Sequence, residues 1–222
     1  MKTLLFIDTE TSCFANEIGV NMYNRPFINE NGEVVYPHIS QISWIITSKS
    51  GEEIVKRNFI ILPEGYVISE NATTVHGITN EMAVEKGVSI KFVIDVLKQD
   101  IEEHKCYKIC GHNVKFDIHM IEAECLRLGY NDLFDDLVGF HYEDTCGNSK
   151  IMHYVGGRDS RGRIKKPKLI ELYTKLFNEG FDGAHDSMAD IGATKKCYFE
   201  CVKLGLIDQY NWKLKNLNYI IM

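Results

Sequence analysis

No stretch of this sequence approaches the ~20 consecutive apolar residues that cross a bilayer as a helix, so no membrane partner is expected. Prolines number only four, and there is no proline-rich linker, low-complexity tract or internal repeat. These absences point away from a string of domains or a solenoid and towards one domain. No cysteine pair has CxxC spacing. The seven cysteines are odd in number, and Cys106/Cys110 and Cys197/Cys201 lie four apart, a poor spacing for a zinc knuckle. They read as buried thiols in a reducing compartment. An excess of positive charge is also missing. The net charge is −6, which argues against a general nucleic-acid coat protein. It leaves a nuclease open, because a metal site needs carboxylates and only the binding groove must be positive.

What is present is an ordinary globular composition, 45% hydrophobic over 222 residues, enough for a full core. The start, MKTLLFIDTETS, has the lysine and short apolar run of a signal peptide. Asp8 and Glu10 interrupt that run, and no small-residue cleavage site follows. It reads as a strand, and the expected location is cytoplasmic.

Strand-like and helix-like segments alternate, which predicts an α/β fold. Strands are expected over 3–10, 39–48 and 53–62, the last two joined by a turn at Ser50-Gly51, and over 106–111. Helices are expected over 80–104 with a break near Gly87, over 115–128 with Gly129 as C-cap, and over 169–177. A last long helix over 187–204 is capped by Asp186 and ended by Gly205. Residues 12–38 form a long loop after the first acidic pair, and such loops are often functional. A C-terminal tail, 206–222, follows an expected domain of 1–205 and has no readable role.

Three clusters carry chemistry. Asp8 and Glu10 end an apolar strand and, two apart, point to one face. Two close carboxylates repel, and a hard divalent cation removes that cost. The same pattern also ends an edge strand in solvent. Gly111-His112-Asn113-Val114-Lys115-Phe116-Asp117 leads from a strand into a helix, with Asp117 in its first turn. Strand ends gather sites in α/β sheets, and helix N-termini also favour an Asp for dipole reasons alone. His185 and Asp190 stand five apart, ~140° on one helix, so they converge only if His185 lies in the preceding loop. Gly183 and an Asp186 N-cap support that placement.

Taken together, the clusters resemble the three motifs of the DEDDh (DnaQ-like) 3′–5′ exonuclease family, which includes the epsilon proofreading subunit of DNA polymerase III and ribonuclease T. Motif one ends at Glu10, motif two runs from His112 to Asp117, and motif three from Ala184 to Asp190. His76-Gly77-Ile78-Thr79, Leu172-Tyr173 and Ala193-Thr194 are similar too. One departure stands out: Ser12-Cys13-Phe14 follows Thr11, where many relatives have glycine.

The resemblance implies an RNase H-like α/β fold, a central mixed β-sheet flanked by α-helices. It implies hydrolysis at a free 3′ end with release of nucleoside 5′-monophosphates. It implies two divalent cations, Mg2+ or Mn2+, held by Asp8, Glu10 and Asp190, with Asp117 acting through waters, and His185 as general base. Thr11, Phe14, His76 and Asn113 are the expected contacts to the terminal nucleotide, with Phe14 as a stacking surface. The run 158–168 (RDSRGRIKKPK) has six cations against Asp159. It reads either as a backbone-binding loop, with Lys165 and Lys166 as contacts, or as a solvated, mobile loop.

Single-stranded DNA is the expected substrate. RNA ends are the alternative with the same chemistry, since no motif reports on the 2′-hydroxyl. A catalytically silent binding module would have lost a carboxylate, and none is lost. A polymerase or a second copy of the chain as partner is left open.

Overall fold

The computed structural model describes residues 2–21, 24–130 and 141–209. Its centre is a five-stranded sheet. The strands are β1 (Thr3–Thr11), β4 (Ile39–Thr47), β5 (Glu53–Ile60), β6 (Cys106–Gly111) and β7 (His141–Asp144), in the order β5-β4-β1-β6-β7. β1, β4 and β5 pair antiparallel, whereas β6 and β7 run parallel to β1. The described residues hold seven α-helices in chain order: α1 (Glu70–His76), α2 (Asn80–Lys86), α3 (Ile90–His104), α4 (Lys115–Leu128), α5 (Ser149–Val155), α6 (Leu169–Phe177) and α7 (Ser187–Lys203).

β4 is buried along its whole length, as its position between two strands and two helix layers requires. Its Trp44 hydrogen-bonds Asp100 of α3 (2.9 Å). On the other face Phe6 of β1 packs edge-on against Tyr198 of α7, with ring centroids 5.2 Å apart. β5 is the exposed edge, and its Lys56, Arg57 and Asn58 blunt it against pairing with another chain.

The expected strands and helices stand within two residues of their predicted ends. The predicted break near Gly87 separates α2 from α3. Three elements are new. α1 has no apolar stripe, only Ala72 being buried, and is defined by its Ser69 cap and Gly77 end. α5 starts from an Asn148 cap, and β7 is four residues long. Within the 12–38 loop lie a 3₁₀ turn (Ala15–Ile18) and a small hairpin of β2 (Phe27–Ile28) with β3 (Val34–Val35). Residues 22–23 are outside the described residues. Of the tail, Ile207 is buried in the main core and Gln209 donates to the Lys49 carbonyl (2.7 Å). The tail from 210 onward, with Trp212, lies outside the described residues. The seven cysteines are free thiols, six of them buried. Among the described residues no helix is long and apolar enough to cross a membrane.

Candidate active site

Strand alternation puts Phe6, Asp8 and Glu10 on the face covered by α7. α7 brings Asp190 to the same place. One carboxylate oxygen from each of Asp8, Glu10 and Asp190 lies within 4.8 Å of the others. The approach is set by β4. Ser43 and Gln41, the cross-strand neighbours of Asp8 and Glu10, both hold the start of α7. The Ser43 and Ser187 hydroxyls are 2.6 Å apart, and the Ser187 amide donates to Gln41 Oε1 (3.3 Å). Asn58 of β5 in turn accepts from Gln41 and Ser43 (both 3.1 Å). Sequence reasoning missed these four positioning residues. For Gln41 and Ser43 a signal was present, as polar side chains in the otherwise apolar β4.

The last motif folds as its spacing required. Asp186 caps α7 by accepting from the Met188 and Ala189 amides (3.0 Å each). His185 precedes it with φ 71°, and its amide donates to Asp190 Oδ2 (3.0 Å). The imidazole is exposed beside the acids rather than on the α7 helix. Gly183 has φ 79°, and a Cβ there would lie 3.1 Å from the Ala189 methyl, so this tight entry favours glycine.

Asp117 stands beside the trio rather than within it. β1 runs past its last parallel pair, Phe6↔Cys110, which leaves Thr9 beyond the end of β6. Asp117 Oδ1 accepts from the Thr9 amide (2.9 Å) and hydroxyl (2.8 Å). The carboxylate from α4 therefore ties down the strand between Asp8 and Glu10. A further acid was not foreseen. Asp144, at the end of β7, accepts from the Asn113 amide (2.7 Å) and fixes the left-handed turn there (φ 70°).

The electrostatics are one-sided. Burial pushes the Asp8 carboxyl well above its usual range, and Asp117, Asp190, Glu10 and Asp186 push it further. Burial, Asp190, Asp117 and Asp186 raise Glu10 to about 8. Burial raises Asp117 to about 7 against the pull of its Thr9 bonds. Asp190 is raised by burial, partly offset by His185. Clustered carboxylate oxygens with only an imidazole beside them suit a hard divalent cation.

The expected nucleotide contacts are placed unevenly. Thr11 donates its hydroxyl to the Cys13 carbonyl (3.0 Å). Phe14, 41% exposed, sits just beyond the acid end of β1. His76 uses both ring nitrogens on backbone: Nδ1 accepts from the Ile78 amide, and Nε2 bonds the Thr11 carbonyl (3.1 Å each). The ring thus secures the end of β1. Asn113 is exposed. Lys165 is ion-paired with Glu171 (2.6 Å), whereas Lys166 is exposed.

No curated protein matches this chain. Among solved structures, E. coli exonuclease I in complex with a dA16 oligonucleotide aligns with a TM-score of 0.69 at 21% identity. The alignment covers 92% of this chain and 41% of that one. A moderately thermophilic exonuclease I from Methylocaldum szegediense aligns with a TM-score of 0.68 at 18% identity, covering 91% and 41%. The chain thus spans about two fifths of the length of these proteins. The fold is the RNase H-like α/β fold that the motifs implied, a mixed sheet flanked by helices. The model of the RNase T exonuclease family matches residues 5–198, a span holding all three acidic motifs, and the chain belongs to that family.

Proposed function

We propose that this protein is a DEDDh-type, divalent-cation-dependent 3′–5′ exonuclease that removes nucleoside 5′-monophosphates from single-stranded DNA. One observation carries the reading: the convergence of Asp8, Glu10 and Asp190 beside a histidine held outside the helix. Asp8, Glu10 and Asp190 would hold the cations, which when bound supply charge neutralisation and Lewis acidity at the scissile phosphate. Asp117 keeps β1 in register for the two acids. His185 takes the proton from the attacking water as the oxygen–phosphorus bond forms, and the 3′ oxygen leaves with a proton from solvent. Phe14 offers a face for a terminal base. DNA is preferred over RNA because the aligned exonuclease I structures include complexes with dA16 and dT13 oligonucleotides.

The test is hydrolysis of labelled single-stranded DNA, duplex DNA and RNA of one sequence, in Mg2+, in Mn2+ and in excess chelator. Monophosphate release from single-stranded DNA is expected, stopped by chelator or a 3′ phosphate and untouched by a 5′ block. Full activity in chelator overturns the cation assignment. Faster hydrolysis of RNA overturns the substrate assignment.

A further inference from the structure

The run Arg158–Lys168 is a built element rather than a loose loop. Asp159, its only acid, accepts from the Arg161 and Arg163 amides (2.9 Å each) and from the Arg163 guanidinium (2.8 Å), which closes a tight turn. Arg158 bridges to Ile164 and donates to the Gly162 carbonyl (2.6 Å), and the Lys165 amide bonds the Gly157 carbonyl (3.0 Å). The turn is rooted in the second motif. His112 Nε2 bonds the carbonyl of buried Pro167 (2.9 Å), and His112 Nδ1 meets the Thr145 hydroxyl (2.9 Å). β6 and β1 run parallel, so the root at Gly111–His112 lies at the same end of the sheet as Asp8 and Glu10.

The six cations divide into two sets. Arg163 is paired with Asp159 and Lys165 with Glu171, while Arg158 is turned onto the hairpin's own carbonyl. Arg161, Lys166 and Lys168 are exposed and form no salt bridge among the described residues, although the Lys168 amide donates to Glu171 (2.8 Å) and its charge lies near that acid. In a chain of net charge −6, three exposed cations on one hydrogen-bonded hairpin, rooted at the end of the sheet that carries Asp8 and Glu10, offer a polyanion a complementary surface.

We infer that the hairpin 157–168 is a backbone-binding arm for the single strand leading into the site, with Arg161, Lys166 and Lys168 on its phosphates and His112 anchoring it. This rests on the proposed nuclease reading for its ligand. It departs from the sequence expectation in two respects: Lys165 serves the arm's internal structure through Glu171, and Arg161 and Lys168 join Lys166 as contacts.

The experiment compares wild type with R161Q/K166Q/K168Q and with the charge-neutral control K91Q/D95N, which removes an exposed ion pair on α3. Binding of a 3′-phosphorylated 20-nucleotide DNA is measured in chelator across a salt series, and hydrolysis of a dinucleotide is measured separately in Mg2+. The triple variant is expected to bind roughly tenfold more weakly and to lose about two units of salt slope, near 0.7 for each of three contacts. The control keeps the wild-type slope, and dinucleotide hydrolysis is unchanged in both. An unaltered affinity and slope in the triple variant overturns the arm, as does equal damage to dinucleotide hydrolysis. A wild type that hydrolyses nothing counts against the nuclease reading alone, because the salt series still reads the arm.

Discussion

Helix α4 carries buried acids of two kinds, and their difference separates structure from function. Near its start, Asp117 stands beside Asp8, Glu10 and Asp190, a group that no arginine or lysine among the described residues enters. Two turns later, Glu122 and Glu124 are equally buried, but each has a cation. Arg25 meets Glu122 at 2.5 Å, and Arg127 meets Glu124 at 3.0 Å. Glu124 also takes the Ile39 amide (2.9 Å) and His38 (3.4 Å). Arg127 reaches on to the carbonyls of Tyr36 and Pro37 (2.5 and 3.2 Å), so the pair staples the β2–β3 region to the helix. Burial pushes the Glu124 carboxyl up, yet His38, Arg127 and the Ile39 amide outweigh it and hold it below the usual range. Burial alone therefore does not mark a site. A carboxyl raised by several neighbouring acids, as those of Asp8 and Glu10 are, is the better marker.

The comparison breaks most visibly at the proposed catalytic end. Asp8→Asn should abolish turnover and weaken Mg2+ or Mn2+ binding by calorimetry, while the cation-free protein melts no lower than wild type. Unchanged metal affinity would remove Asp8 from the ligand set. His185→Ala should lower kcat by roughly 10²–10⁴-fold, the usual worth of a positioned base, with metal affinity retained. Near-normal turnover would assign the proton to another group.

At the stapled end the loss is in stability. Glu124→Gln takes the charged partner from half-buried Arg127 and should cost about 3 kcal/mol in denaturant unfolding, with little change in kcat for the folded fraction. Glu10 and Glu124 should also respond to pH in opposite directions. Glu10 is raised to about 8, so its contribution is full below its ordinary value of 4.5 and is lost as pH rises through about 8. Glu124 is lowered, so its contribution is present above its ordinary value and is lost as pH falls through its depressed one. In chelator, melting temperature should therefore fall from pH 6 to pH 9, and saturating Mg2+ should flatten that slope. A chelated protein equally stable at both pH values would contradict the raised site acids. The smallest effect is expected at Thr9→Val. It removes one hydroxyl bond to Asp117 and keeps the amide bond, costing about 1 kcal/mol. A kcat loss matching that of His185→Ala would show that Thr9 does more than orient the strand.

Much of this was readable from local rules. Asp8 and Glu10 share a face because strand side chains alternate, and that holds whatever the strand pairs with. His185 had to leave the helix because five residues span too much arc, and Gly183 with Asp186 marked the exit. α1, α5 and β7 escaped notice because they are short and lack an apolar period. Caps and turns define them instead.

The sequence by itself thus determined which side chains could do the chemistry, the order of the main strands and helices, and the face on which the first two acids lie. The tertiary structure decided what each charge does, because a charge is defined by its neighbours and these lie far apart along the chain. It separated Asp117 from the trio by giving one of its oxygens to Thr9, 108 residues away. It set α7 over β1 through Ser43 and Gln41, and it gave Glu124 a cation while leaving Glu10 among acids. It also sorted the basic run, tying Lys165 to Glu171 and leaving Lys166 facing outward. Hydrogen bonds and ion pairs form between groups that meet in space, so no pattern read along the chain could assign these partners.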